Sequence, residues 1–136
     1  MKIAIRYYSK LGHIKKLAEA IASVAEVEAK SIEESLEEDV DILFFGSSIY
    51  AAGIAGPVKD FINNIDKKIG KIVNFSTAGL LESTYKSVKK VADAKGLKMA
   101  DEEFHCKGQF TALNYGHPNN EDIENVKSFT KKVLKL

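Results

Sequence analysis

A single cysteine, Cys106, stands in a chain of 136 residues. One thiol excludes an internal disulfide framework and a metal site built from several cysteines. Charge of one sign is not in excess either: 20 basic residues face 19 acidic ones, a formal net charge of +1. Nothing here predicts a grip on nucleic acid or a charged tail. No apolar stretch reaches the roughly 18 residues that suggest a membrane span. The GxxxxGKS/T pattern of a P-loop is missing, and so is the GxGxxG fingerprint. His105 and His117 lie apart and, with one cysteine, make no metal pattern. No charged leader with an apolar core precedes Ile3-Ala4-Ile5, which predicts a cytoplasmic protein.

What remains is an ordinary globular composition, 45% apolar and 29% charged. The length suits one domain, expected over residues 1–136. Residues 2–8 are apolar and aromatic, as a buried strand requires. From Ile14 the period changes: Ile14, Leu17, Ala18, Ile21, Ala22 and Ala25 recur at helical spacing. Residues 27–32 suit a short strand, and the acidic residues 33–39 a single helical turn or a loop. Residues 41–46 form the clearest buried strand. Residues 47–56 read as a loop, with Pro57 in the first turn of a helix. Gly70 ends that connection, residues 71–75 make a fourth strand, and Ser76-Thr77-Ala78-Gly79 a turn. A helix over 83–95 stops at Gly96. Residues 97–106 suit a fifth strand, and a closing amphipathic helix carries Asn120 as its N-cap. Strand and helix alternating about five times predict a doubly wound α/β fold, a five-stranded parallel sheet with helices on both faces.

In such a sheet ligands bind beyond the carboxyl ends of the strands. Three segments reach that edge, 9–14, 47–56 and 76–82, and all are rich in Ser, Thr, Gly and Ala. Small residues let backbone N–H groups approach a ligand, and hydroxyls add donors. The first segment, Ser9-Lys10-Leu11-Gly12-His13-Ile14, joins a strand to a helix N-terminus. The free N–H groups and positive dipole end there suit a phosphate. Its alternative is a plain turn.

Tyr7-Tyr8-Ser9-Lys10-Leu11-Gly12-His13-Ile14 resembles the phosphate loop of flavodoxin-like proteins, and of quinone reductases of the tryptophan-repressor-binding-protein type. Phe45-Gly46-Ser47-Ser48-Ile49-Tyr50-Ala51-Ala52-Gly53 resembles their second flavin loop, and Ser76-Thr77-Ala78-Gly79 the third. The segment from Gly116 to Asp122 is similar to short members of that family as well. The resemblance implies strand order 2-1-3-4-5 and FMN as cofactor. The phosphate would sit on Ser9, Lys10, Leu11, Gly12, His13 and Ile14. The ring would lie between Ser47, Ser48, Ile49, Tyr50, Ala51 and Gly53 on one side and Ser76, Thr77, Ala78 and Gly79 on the other. Tyr50 is the candidate to stack on it. Where the family usually carries hydroxyl residues, this chain has Leu11 and Ile14, which leaves the phosphate to backbone N–H groups, Ser9, Lys10 and His13. The balanced charge implies a flavin potential less negative than that of an acidic flavodoxin.

The expected function is electron transfer between a reductase and acceptor proteins, by a monomer or weak homo-oligomer. Two alternatives come with the resemblance: an FMN-dependent NAD(P)H:quinone reductase or protoporphyrinogen-oxidase-like enzyme, and a member that no longer binds FMN. A phospho-receiver domain needs acidic strand ends, and here those ends read Tyr7-Tyr8-Ser9 and Phe45-Gly46-Ser47. The apolar residues Ile49, Ala51, Ala52, Ile54 and Ala55 are expected to form a partner-facing patch.

Overall fold

Both faces of every central strand are apolar, so a sheet covered on both sides is the arrangement that buries them. The computed structural model describes residues 1–9, 12–49, 54–78, 83–107 and 116–136. The elements run β1 (Ile3–Tyr7), α1 (His13–Ala25), β2 (Ala29–Ser31), β3 (Val40–Ile49), α2 (Gly56–Asn63), β4 (Ile69–Ala78), α3 (Tyr85–Lys95), β5 (Phe104–Lys107) and α4 (Asn120–Leu134). The strands form one all-parallel sheet in the order 2-1-3-4-5. Helices α1 and α4 pack together on one face, α2 and α3 on the other. Among the described residues no helix is long and apolar enough to cross a membrane.

Alternation sorts the core. Ile42, Phe44, Val73 and Phe75 join Leu17, Ile21 and Val126 on the α1–α4 side. Leu43, Phe45 and Ile72 join Val58, Ile62 and Val88 on the α2–α3 side. Because both faces are apolar, hydrophobic pattern alone does not set the register of β3 against β4; a slip by one residue would still bury apolar groups. Small and polar residues set it instead. Gly46 lies opposite Phe75, and a Cβ there would overlap the Phe75 ring. Gly70 lies against the backbone carbonyl of Asp41, which leaves a Cβ no room. Ser48 and Thr77, also register partners, share a hydrogen bond of 2.7 Å.

The crossover from β2 to β3 has no helix: residues 32–39 form a turn and an irregular stretch. Arg6 of β1 holds it down. Only 6% exposed, its guanidinium donates to the carbonyls of Glu34 (2.7 Å), Ser35 (3.1 Å) and Ile5 (3.0 Å). Burial lowers its pKa, opposed by the carboxylates of Glu34, Glu37 and Glu28. An arginine keeps its charge through such a shift. One cation thus satisfies carbonyls that a helix would have paired internally.

Several boundaries move from their expected places. Residues 47–49 belong to β3 and 76–78 to β4, so the two central strands run three residues further toward the carboxyl edge than apolar patterning suggests. Their polar side chains remain in the ladder because they pair with one another. Gly70 lies inside β4. Of residues 97–106, only the last three are in β5, with Met99 making an isolated bridge to Ile72. The cap of α4 is Asn119, not Asn120. Its side chain accepts from the Asp122 N–H at 2.9 Å, while Asp122 Oδ2 accepts from the Asn119 N–H at 2.8 Å.

Candidate functional site

β1 ends at Tyr7 beside Gly46, and β3 and β4 run three residues further to the paired Ile49 and Ala78, so the segments after all three open on one edge of the sheet. After β1 the chain turns through Gly12, whose φ of +85° is the left-handed conformation that suits glycine. Gly12 is the N-cap of α1 and supplies no side-chain cap, and the first turn carries no acid. The leading N–H groups of α1 therefore lack the partner that a capping side chain would give.

Two side-chain atoms at this turn are buried without a hydrogen-bond partner among the described residues: Ser9 Oγ and His13 Nδ1. Burial, and next the charge of Lys16, lowers the His13 pKa, which keeps the ring neutral near pH 7. Ile14 takes a different place. It is 1% exposed and packs with Leu17 and Ile21 in the core, so only its backbone faces the turn. Lys10 and Leu11 lie outside the described residues. A groove of about 760 Å³ opens beside the turn, with Tyr8, Ser9, Gly12, Lys15, Pro57 and Phe61 among its walls.

The hydroxyls of the second and third segments are buried and engaged. Ser48 and Thr77 bond each other on the α1–α4 side of the sheet. Ser47 and Ser76 point to the α3 side, toward Thr84. Ser47 Oγ donates to Thr84 Oγ1 at 3.1 Å, and the Thr84 N–H donates to Ser76 Oγ at 3.2 Å. Ile49 and Ala78 close the ladder as register partners. Tyr50, Ala51, Gly53 and Gly79 lie outside the described residues, as do Ala52 and Glu82. Ile54, expected on an exposed patch, is 8% exposed and packs with Val58 and Ile62, because α2 needs an apolar anchor where it meets the sheet.

Two residues of this edge are absent from the expectations above. Asn74 and Thr84 are fully buried, and Asn74 Nδ2 donates to Thr84 Oγ1 at 3.1 Å. The available signal was an asparagine inside an otherwise apolar strand, since a buried amide needs partners. Cys106 on β5 stays protonated at neutral pH. Burial, with help from the Asp122 carboxylate, pushes its thiol up to about 12.

The group this edge suits can be tested on those unpaired atoms. An uncapped helix start, a left-handed glycine, a buried hydroxyl and a neutral imidazole whose Nδ1 donates in its Nδ1–H tautomer make a set of donors for an oxyanion such as phosphate. The donor set fits a phosphate ester; the groove beside it also carries the carboxylates of Glu33 and Asp60, and among the described residues no three His, Cys, Asp or Glu side chains gather to hold a metal ion.

The parallel order 2-1-3-4-5, with such a turn after the first strand, defines a doubly wound α/β protein of the flavodoxin-like class. The flavodoxin domain family matches residues 4–133, nearly the whole chain, and the protein belongs to that family. An uncharacterised protein of Methanocaldococcus jannaschii is 31% identical over 148 aligned positions, covering 97% of this chain and 98% of its own. Among solved structures, a flavodoxin from the domain Archaea superposes with a TM-score of 0.78 at 18% identity, over 99% of this chain and 97% of that one. Oxidised flavodoxin 1 from Bacillus cereus gives 0.75 at 20% identity, over 99% and 98%. At such identities these two likenesses show the fold.

Proposed function

We propose that the protein binds FMN at the carboxyl edge of its sheet and carries electrons between partner proteins. The observation that carries this reading is the pair of buried atoms at the β1–α1 turn, Ser9 Oγ and His13 Nδ1, that have no partner among the described residues. A buried donor without a partner costs about 1–3 kcal/mol, and a ligand oxygen at that spot removes the penalty. Ser9, the His13 ring and the first N–H groups of α1 would hold the phosphate. Backbone groups at the ends of β3 and β4 would border the ring, with Tyr50 stacking on it. When bound, the flavin supplies reversible one- and two-electron transfer, and the protein supplies binding and electrostatics.

A second reading, an FMN enzyme that reduces a quinone with NAD(P)H, draws on the groove of about 760 Å³ beside the turn, which has room for more than a phosphate. Titration with FMN and riboflavin, followed by flavin fluorescence, tests the site. FMN is expected to bind one per chain and riboflavin at least 100-fold more weakly. Equal affinities would remove the phosphate from the argument, and no binding of either would end the redox reading. Turnover of NAD(P)H with a quinone by the pure holoprotein would favour the enzyme over the carrier.

A further inference from the structure

A threonine just before a helix ordinarily turns its hydroxyl to the helix N–H groups. Thr84, which precedes α3, makes no such bond. Its Oγ1 faces the sheet, where it accepts from Ser47 Oγ and Asn74 Nδ2, both at 3.1 Å, while its N–H donates to Ser76 Oγ. The three partners come from both central strands. Ser47 and Ser76 are register partners, and Asn74 pairs with Phe45 two register positions below, on the same face. All four residues are fully buried, on the face where Leu43, Phe45 and Val88 are otherwise apolar.

Stability does not account for this arrangement. Apolar residues of the same size would fill the space without desolvating polar groups. The cluster is also incomplete, since Asn74 Oδ1 has no partner among the described residues. What a buried polar cluster does supply is a single geometry, because each bond is directional. Here it sits near the ends of β3 and β4, two residue pairs short of where both strands leave the sheet.

We propose that Thr84 is a positioning residue for the flavin site. By tying Ser47, Asn74 and Ser76 together it fixes the relative height of the ends of β3 and β4, and so the backbone groups that border the ring. This rests on the FMN reading above. Thr84 acts through the strand ends and touches no ligand.

Thr84→Val keeps the shape and loses the hydroxyl; Thr84→Ser keeps the hydroxyl. The Val variant is expected to bind FMN at least 10-fold more weakly and to shift the visible spectrum and midpoint potential of what remains bound. The Ser variant is expected to stay within about 3-fold of wild type. In the apoprotein, amide exchange at 47–48 and 76–77 should quicken in the Val variant while β1 and α1 stay unchanged. An unchanged FMN affinity, spectrum and potential in Thr84→Val, whatever its loss of stability, overturns the proposal. If the wild type binds no FMN, the functional reading fails by itself, and the exchange pattern still decides: a rise confined to the strand ends upholds the tie, and a uniform rise or none refutes it. Should the Val variant not fold, Ser47→Ala, which removes one donor, is judged by the same criteria.

Discussion

Two sets of small polar side chains lie along one edge of the sheet, in opposite hydrogen-bonding states. At the β3–β4 ends, Ser47, Ser48, Ser76 and Thr77 are buried and bonded within the protein. At the β1–α1 turn, Ser9 Oγ and His13 Nδ1 are buried and bonded to nothing described. The first set holds two strands in register. The second leaves donors in a place that water reaches poorly, an arrangement that a ligand completes. Burial alone does not separate scaffold from site; the partner does.

The largest effect should come from the scaffold side. Gly46→Ala drives a methyl into the ring of Phe75, whose own environment is fully buried and cannot yield easily. Overpacking of this kind costs about 3 kcal/mol. The urea midpoint should fall accordingly, and a loss under about 1 kcal/mol would mean that the β3–β4 contact is looser than described. Ser48→Ala is the next step down. It leaves the Thr77 hydroxyl buried without its 2.7 Å partner. The expected loss is about 1–3 kcal/mol in the same measurement.

Ser9→Ala is the mirror experiment. Its hydroxyl has no partner to lose among the described residues, so stability should hold or rise by up to about 1 kcal/mol. Its effect should instead appear in FMN affinity, about 10-fold weaker, as one charge-assisted hydrogen bond to a phosphate would give. If Ser9→Ala destabilises the apoprotein as much as Ser48→Ala does, the two sets are alike and the contrast fails.

Serine letters alone could not reveal this difference. Ser9 and Ser48 both follow apolar runs, and both read as loop hydroxyls; only the register that places Ser48 beside Thr77 tells them apart. The alternation of strands and helices, Pro57 at the start of α2 and Gly96 at the end of α3 were legible because each rests on local backbone chemistry. The ends of β3 and β4 were not, since polar residues stay in a strand only when a distant strand supplies partners. Ile54 was misplaced for the same reason: its small neighbours suggest a surface loop, and its burial depends on α2 folding back on the sheet. Arg6 drew no notice within a segment read as apolar, because two of its carbonyl partners stand 28 and 29 positions away.

The smallest effect concerns His13. Burial, then Lys16, lowers its pKa in the folded chain, while the unfolded chain keeps the ordinary value near 6.5. As pH falls through that value the unfolded state takes up a proton that the folded state refuses, so stability declines until the folded pKa is passed and then levels off. The decline belongs to His13 alone if it disappears in His13→Gln, because His105 and His117 are present in both proteins. Urea unfolding at pH 8 gives the baseline difference between the two proteins, and by pH 5.5 the wild type should have lost slightly more than His13→Gln. Saturating FMN should flatten the wild-type slope, because a phosphate beside the ring favours the imidazolium and offsets the burial. A slope unchanged by FMN would put the phosphate elsewhere and leave His13 Nδ1 as an ordinary buried flaw of the turn.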